Sequence, residues 1–199
     1  MKKSTALTLS ILASLSLVMF AACDPEPDQP ATGKLTIVTS TYPLTFLAQR
    51  IGGDRISVVQ LIKPGVEAHD FEPVPSDIRT VTNADVFFYN HPAFEGWALA
   101  AAKASGSGDP GSVTVIQTVV LENQGDDQDE QAIDDSEFNP HVWLNPLKAE
   151  KQADKIIEAL VAADPDGSPE YAQNGGELKA ELRDLDELIG GRLSDCALN

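Results

Sequence analysis

LTIVTSTYPLTFLAQRIGGDRISVVQLI, residues 35–62, is the stretch that decides the fold. Each end is a run of apolar and β-branched residues, continuous rather than alternating, as expected of strands covered on both faces. Residues 43–51 between them read as a helix entered at Pro43 and stopped by Gly52-Gly53. A strand, a helix and a second strand in succession point to parallel strands joined by a crossover helix. The alternation continues outward. A short helix over 76–83, with Ser76 as its N-cap, precedes a strand at Asp85-Val86-Phe87-Phe88-Tyr89; a helix over 94–104 and a strand over 113–120 follow. The pattern predicts an α/β fold: a parallel four-stranded sheet flanked by helices.

Beyond the sheet, residues 122–137 (ENQGDDQDEQAIDDSE) hold a single strong apolar residue, Ile133, among many carboxylates, and read as a solvated loop. Residues 146–161 form an amphipathic helix with Ala149, Ala153, Ile156, Ile157, Leu160 and Val161 on one face, broken by Asp164-Pro165-Asp166-Gly167. Leu178, Leu182, Leu185, Leu188 and Ile189 then mark one stripe of a last helix, expected over about 176–193.

The N-terminal end is built differently. Lys2 and Lys3 precede an apolar run over 6–20, and Ala21-Ala22-Cys23 supplies small residues at a cleavage point, so residues 1–22 read as an export signal. The acidic stretch after it, beginning Asp24-Pro25-Glu26, is a poor stop-transfer flank, which argues against a retained span. Residues 23–33 are proline-rich and nearly free of apolar groups, a composition that cannot pack and serves as a disordered tether. The formal net charge of the whole chain is −17, a balance that repels phosphate backbones and argues against nucleic-acid binding. Of the two cysteines, Cys23 and Cys196, only the second reads as an ordinary small hydrophobe.

Three histidines carry the candidate chemistry: His69, His91 and His141. His69 lies in GVEAHDFEP, residues 65–73, directly after a strand; His141 lies in NPHVWLNP, residues 139–146, between the acidic loop and a helix. Each sits in a proline-bounded loop and is followed two residues later by an aromatic. Loops after the strands of a parallel sheet gather at one edge, where ligands bind, and proline limits the backbone freedom that would otherwise be lost on binding. Unrelated surface histidines would explain each alone; the matched surroundings weaken that reading, but composition alone does not decide between it and a shared metal site.

Those two motifs resemble the metal-histidine motifs of the zinc- and manganese-binding lipoproteins of bacterial ABC importers, the cluster A-I substrate-binding proteins. Further segments are similar to that family over about residue 34 to the end: 36–43, 84–90, Phe94-Glu95-Gly96-Trp97, and Asp164-Pro165 with Tyr171 and Asn174. The resemblance implies a two-lobed protein in which His69 and His141 supply two of four metal ligands from the N-terminal lobe. The other two would come from a second lobe absent from this sequence. Residues 34–174 would then be the N-terminal metal-binding lobe, and 175–199 the start of a long helix joining the lobes of a C-terminally truncated fragment. Cys23 resembles the lipid-acceptor cysteine of lipoprotein signals, with Phe20 where leucine is usual.

The function implied is capture of a divalent metal, zinc in preference to manganese, without catalysis. The partner is an ABC permease in the membrane, and the protein is a lipid-anchored monomer at the outer face of the cytoplasmic membrane or in the periplasm. Imidazole nitrogens suit zinc, and binding weakens as they protonate. Three departures stand out. Asn139 and Asn145 occupy positions where the family commonly has Asp, and neutral amides lower the negative field there. The loop 122–137 replaces a histidine-rich insert; a weak, oxygen-based metal-gathering role is its other reading. His91 stands where glycine is usual, and reads as a surface residue rather than a rim ligand. A surface adhesin would need only the tether. An exported zinc hydrolase, with Glu67, Asp70 or Glu72 as base, lacks the His-Glu-x-x-His and nucleophile motifs it requires.

Overall fold

The structure is a computed structural model, and it describes residues 33–106, 114–118 and 139–194. The leader, the tether with Cys23, the acidic loop 122–137 and Cys196 lie outside the described residues.

Four strands, β1 (Leu35–Thr39), β2 (Ile56–Gln60), β3 (Val86–Tyr89) and β4 (Thr114–Gln117), form one sheet in the order β2-β1-β3-β4. Every pairing is parallel, with Ile37 opposite Val58 and Val86, and Phe88 opposite Ile116. The five α-helices among the described residues are α1 (Tyr42–Gly52), α2 (Pro75–Thr82), α3 (Gly96–Ala104), α4 (Pro146–Ala163) and α5 (Ser168–Ser194). No described helix is long and apolar enough to cross a membrane.

Adjacent strand residues serve opposite layers, which is why the strands read as unbroken apolar runs. Ile37, Val86 and Phe88 pack with Leu44, Ile51, Ile156, Leu160, Tyr171 and Leu178 from α1, α4 and α5. Val38, Phe87 and Tyr89 face the other way, onto Val81, Ala98 and Ala101 of α2 and α3. The chain leaves β1 toward β2 on one side and β3 lies on the other, so the order reverses between β1 and β3. In open α/β sheets that crevice, at the carboxyl ends of the strands, is where ligands sit.

Three helix starts differ from the sequence expectation. Ser76 is not the cap of α2: Pro75 already occupies the first turn, and the Asp77 carboxylate accepts from the Val74 backbone N–H at 2.9 Å. α3 begins at Gly96 rather than residue 94, because the Glu95 side chain is turned back to hold the preceding loop. The last helix begins at Ser168, not near 176, and runs straight through Gly175-Gly176. Gly175 is a contact point. A Cβ there would come within 2.4 Å of Ile157 Cδ1, so glycine lets α5 approach α4.

The Asp164-Pro165-Asp166-Gly167 break is present as a 3-10 turn between α4 and α5. Asp164 Oδ2 accepts from the Tyr171 hydroxyl at 2.7 Å and from Arg55 Nε at 2.8 Å. The Tyr171 hydroxyl first, then the Arg55 guanidinium, hold the Asp164 carboxyl below its usual range. A lowered folded-state value means this contribution to stability is complete above the unfolded carboxylate value of about 3.9 and is lost as pH falls through the lower folded value. Thermal unfolding of the metal-free protein at successive pH values should therefore show this contribution being lost as pH falls below about 4. Asp164→Asn should be less stable at neutral pH and show a shallower acid slope.

Candidate metal centre

The loop after β2 is aimed by a turn at Lys63-Pro64-Gly65-Val66, closed by the Val66 N–H to the Lys63 carbonyl at 3.1 Å. Pro64 pre-sets the first corner, and Gly65 takes the second at φ 85°, a conformation that glycine adopts without strain. Glu67 Oε1 accepts from the His69 backbone N–H at 3.2 Å, so this carboxylate shapes the turn that presents the imidazole. Phe71 leaves the loop for the interior, its ring centroid 5.4 Å from that of Trp97.

His141 sits just ahead of a 3-10 turn (Val142–Leu144) that leads into α4. Asn139 Oδ1 accepts from the His141 backbone N–H at 3.0 Å and lies 2.8 Å from His141 Nδ1. Because that oxygen can only accept, the neutral ring carries its hydrogen on Nδ1, which leaves the Nε2 lone pair free for a ligand. The two asparagines of the second motif therefore do different things. Asn145 caps α4, its Oδ1 accepting from the Lys148 N–H at 3.0 Å, while Asn139 orients the histidine.

The two loops bring His69 Nε2 within 3.3 Å of His141 Nε2, although the residues are 72 apart in sequence. Two nitrogens each about 2.0–2.1 Å from one tetrahedral ion are separated by roughly 3.3–3.4 Å, so the spacing suits a shared ion as it suits the N–H···N hydrogen bond the pair makes without one. His69 is exposed and His141 half-buried, so an ion has a path to both. Among the described residues no group of three or more His, Cys, Asp or Glu side chains gathers to hold a metal. His91 Nδ1 accepts from the Ala93 N–H at 3.1 Å, a bond that shapes its own loop.

Two aromatic rings frame the pair. Phe94, buried, meets His69 edge-on at 4.7 Å between centroids, and Trp143 lies 5.3 Å from His141 and 5.7 Å from Phe94. Such walls fix imidazole orientation and exclude competing water. The equal spacing of an aromatic after each histidine thus hides unequal roles: Trp143 touches its histidine, whereas Phe71 serves Trp97 and Phe94 takes its place beside His69. The contribution of Phe94 was not legible from its spacing; its one signal was membership in the family-like segment 94–97.

The asparagine assignment makes a prediction. Asn139→Asp places a carboxylate on His141 Nδ1, raises ligand basicity, and should strengthen zinc binding several-fold, whereas Asn139→Ala should weaken it about tenfold. Asn145→Asp should keep the cap and leave zinc affinity unchanged. Competition against a fluorescent zinc chelator measures all three; equal effects at 139 and 145 would refute the division of roles.

A family model described as zinc-uptake complex component A, periplasmic (ZnuA), matches residues 37–199. The high-affinity zinc uptake system protein ZnuA of Bacillus subtilis is 36% identical over 160 residues, 78% of this chain and 50% of that protein. The manganese-binding lipoprotein MntA of Halalkalibacterium halodurans is 33% identical over 156 residues, 78% of this chain and 48% of its own length. The crystal structure of the Zn(II)-bound ZnuA-like domain of Streptococcus pneumoniae AdcA superposes with a TM-score of 0.65 at 31% identity, covering 78% of this chain and 54% of that one. The chain spans about half the length of the curated relatives it matches. The match over residues 37–199 and the shared α/β fold place the chain in the zinc-uptake component A (ZnuA) family of metal-binding substrate-binding proteins.

Proposed function

We propose that this chain captures a divalent transition metal through His69 and His141 and presents it to an ABC permease, with zinc favoured over manganese. The observation that carries the reading is the 3.3 Å approach of the two Nε2 atoms, with Asn139 fixing the tautomer of one of them. Two neutral imidazoles suit zinc better than manganese, which favours oxygen donors. A four-coordinate ion takes two further donors from outside this pair. The matched family and relatives are metal-uptake components, which supports capture and release rather than catalysis. Lipidation at Cys23 after removal of residues 1–22, with 23–33 as the tether, would hold the protein at the outer face of the cytoplasmic membrane or in the periplasm, as a monomer. Residues 34–174 serve as the metal-binding lobe. The apolar stripe of α5 stays exposed beyond it at Leu185, Leu188 and Leu193, which supports the reading of 175–199 as the beginning of an inter-lobe helix.

Titrating zinc into protein with isotope-labelled histidine tests the site. The ring resonances of His69 and His141 should move together and saturate at one ion per chain, with manganese displaced by less than an equal amount of zinc. Movement of His91 alone, or of neither member of the pair, would sink the assignment. An adhesin reading predicts instead that binding to a host surface survives replacement of both histidines.

A further inference from the structure

Glu95 is a carboxylate with no exposed surface, and the metal-capture reading gives it no task. Its Oε2 accepts from the backbone N–H of Asn90 at 2.7 Å and of His91 at 3.1 Å. Its Oε1 accepts from Asn90 Nδ2 at 2.9 Å and from the Ser40 hydroxyl. These donors come from the ends of β1 and β3, the two strands that border the switch-point crevice. Asn90 extends the network: its Oδ1 accepts from Gln152 of α4 at 3.1 Å, and its Nδ2 reaches Thr41 Oγ1 at 3.2 Å. One buried cluster therefore joins the β3–α3 loop to the helix that follows the His141 loop.

A buried carboxylate is a poor choice for stability alone, since well-packed apolar groups of similar size often do as well or better. What this one secures is the loop 90–95. The loop closes on itself through Phe94 N–H and Glu95 N–H, both donating to the His91 carbonyl at 2.9 and 2.8 Å. The side chain this loop delivers to the site is Phe94, whose ring stands 4.7 Å from that of His69 and 6.0 Å from that of His141.

We infer that Glu95 is a positioning residue for the metal site, clamping the β3–α3 loop so that Phe94 holds the His69 imidazole in register with His141. The inference rests on the metal-capture reading. His69 is exposed and carries no wall of its own; without Phe94 its ring samples other rotamers, and the ion must order it at the moment of binding.

The test is a double-mutant cycle on zinc affinity in the full chain, read by competition with a fluorescent chelator far below the unfolding temperature. Glu95→Ala and Phe94→Ala should each weaken zinc about tenfold or more. If Glu95 acts through Phe94, the double variant should lose no more than the worse single one. Glu95→Gln, which keeps an acceptor for the two backbone N–H groups, should fall between Glu95→Ala and the parent. Unchanged affinity in Glu95→Ala with only a lowered unfolding temperature overturns the inference, and so do fully additive losses. Should Glu95→Ala fail to fold, Glu95→Gln decides: a measurable loss supports the clamp and parent-like affinity refutes it. His69→Ala run alongside separates the two claims, because its retention of zinc would remove the metal site itself.

Discussion

Replacing either His69 or His141 with alanine should lower zinc affinity by at least about a hundredfold, beyond the ten- to hundredfold typical of losing a partner that merely orients a ligand. The expectation follows from geometry. Each imidazole gives one nitrogen, the two nitrogens are already 3.3 Å apart, and removing one leaves a single donor with no chelate partner. Neither substitution should disturb the fold, because His69 is exposed, His141 is half-buried, and neither belongs to the two core clusters. Isothermal titration of the metal-free protein measures the effect, with circular dichroism to confirm the fold. An affinity within about threefold of the parent for both variants would mean the ion binds elsewhere. A loss at His141 but not His69 would leave Asn139 and Trp143 as the real surroundings of the site, with the β2–α2 loop a bystander.

Much of the fold is legible in the sequence because its signals are local. Four apolar runs separated by helical stretches leave little choice but a parallel sheet with both faces covered, and Ile37 beside Val38 or Phe87 beside Phe88 serve the two layers as expected. Local signals fail where a residue answers to something distant. The last helix is expected only from about 176, yet it starts at Ser168 and carries Gly175 inside it, where glycine admits Ile157 of α4. Asn139 and Asn145 look like a symmetric pair around His141, but one orients the imidazole and the other caps a helix. His69 and His141 share repeated surroundings, but it is their family-like motifs that pair them, whereas the contact of Phe94 with His69 and the bonds of Glu95 to the 90–95 loop are tertiary features that no spacing announces.

The apolar stripe of α5 yields the sharpest contrast in stability, because residues with the same helical spacing end in opposite environments. Leu178 is fully packed and Leu182 partly so, whereas Leu188 is 54% exposed. Phe88, at the centre of the sheet, has no exposed surface and packs in the same cluster as Leu178. Phe88→Ala removes the whole phenyl ring from a site framed by β1, β4 and the helices, where collapse is difficult, and should cost about 3–5 kcal/mol. For a chain of this size that corresponds to a fall in melting temperature on the order of 10 °C. Leu188→Ala removes a smaller apolar group, and from water rather than from a core, and alanine is at least as good a helix former. Its effect should stay within about 0.5 kcal/mol. Denaturant unfolding in the presence of a chelator compares the two without a metal-binding contribution. A cost at Leu188 of about 2 kcal/mol or more would be that of a buried side chain, and would mean that the far end of α5 is covered in solution by apolar surface from another source.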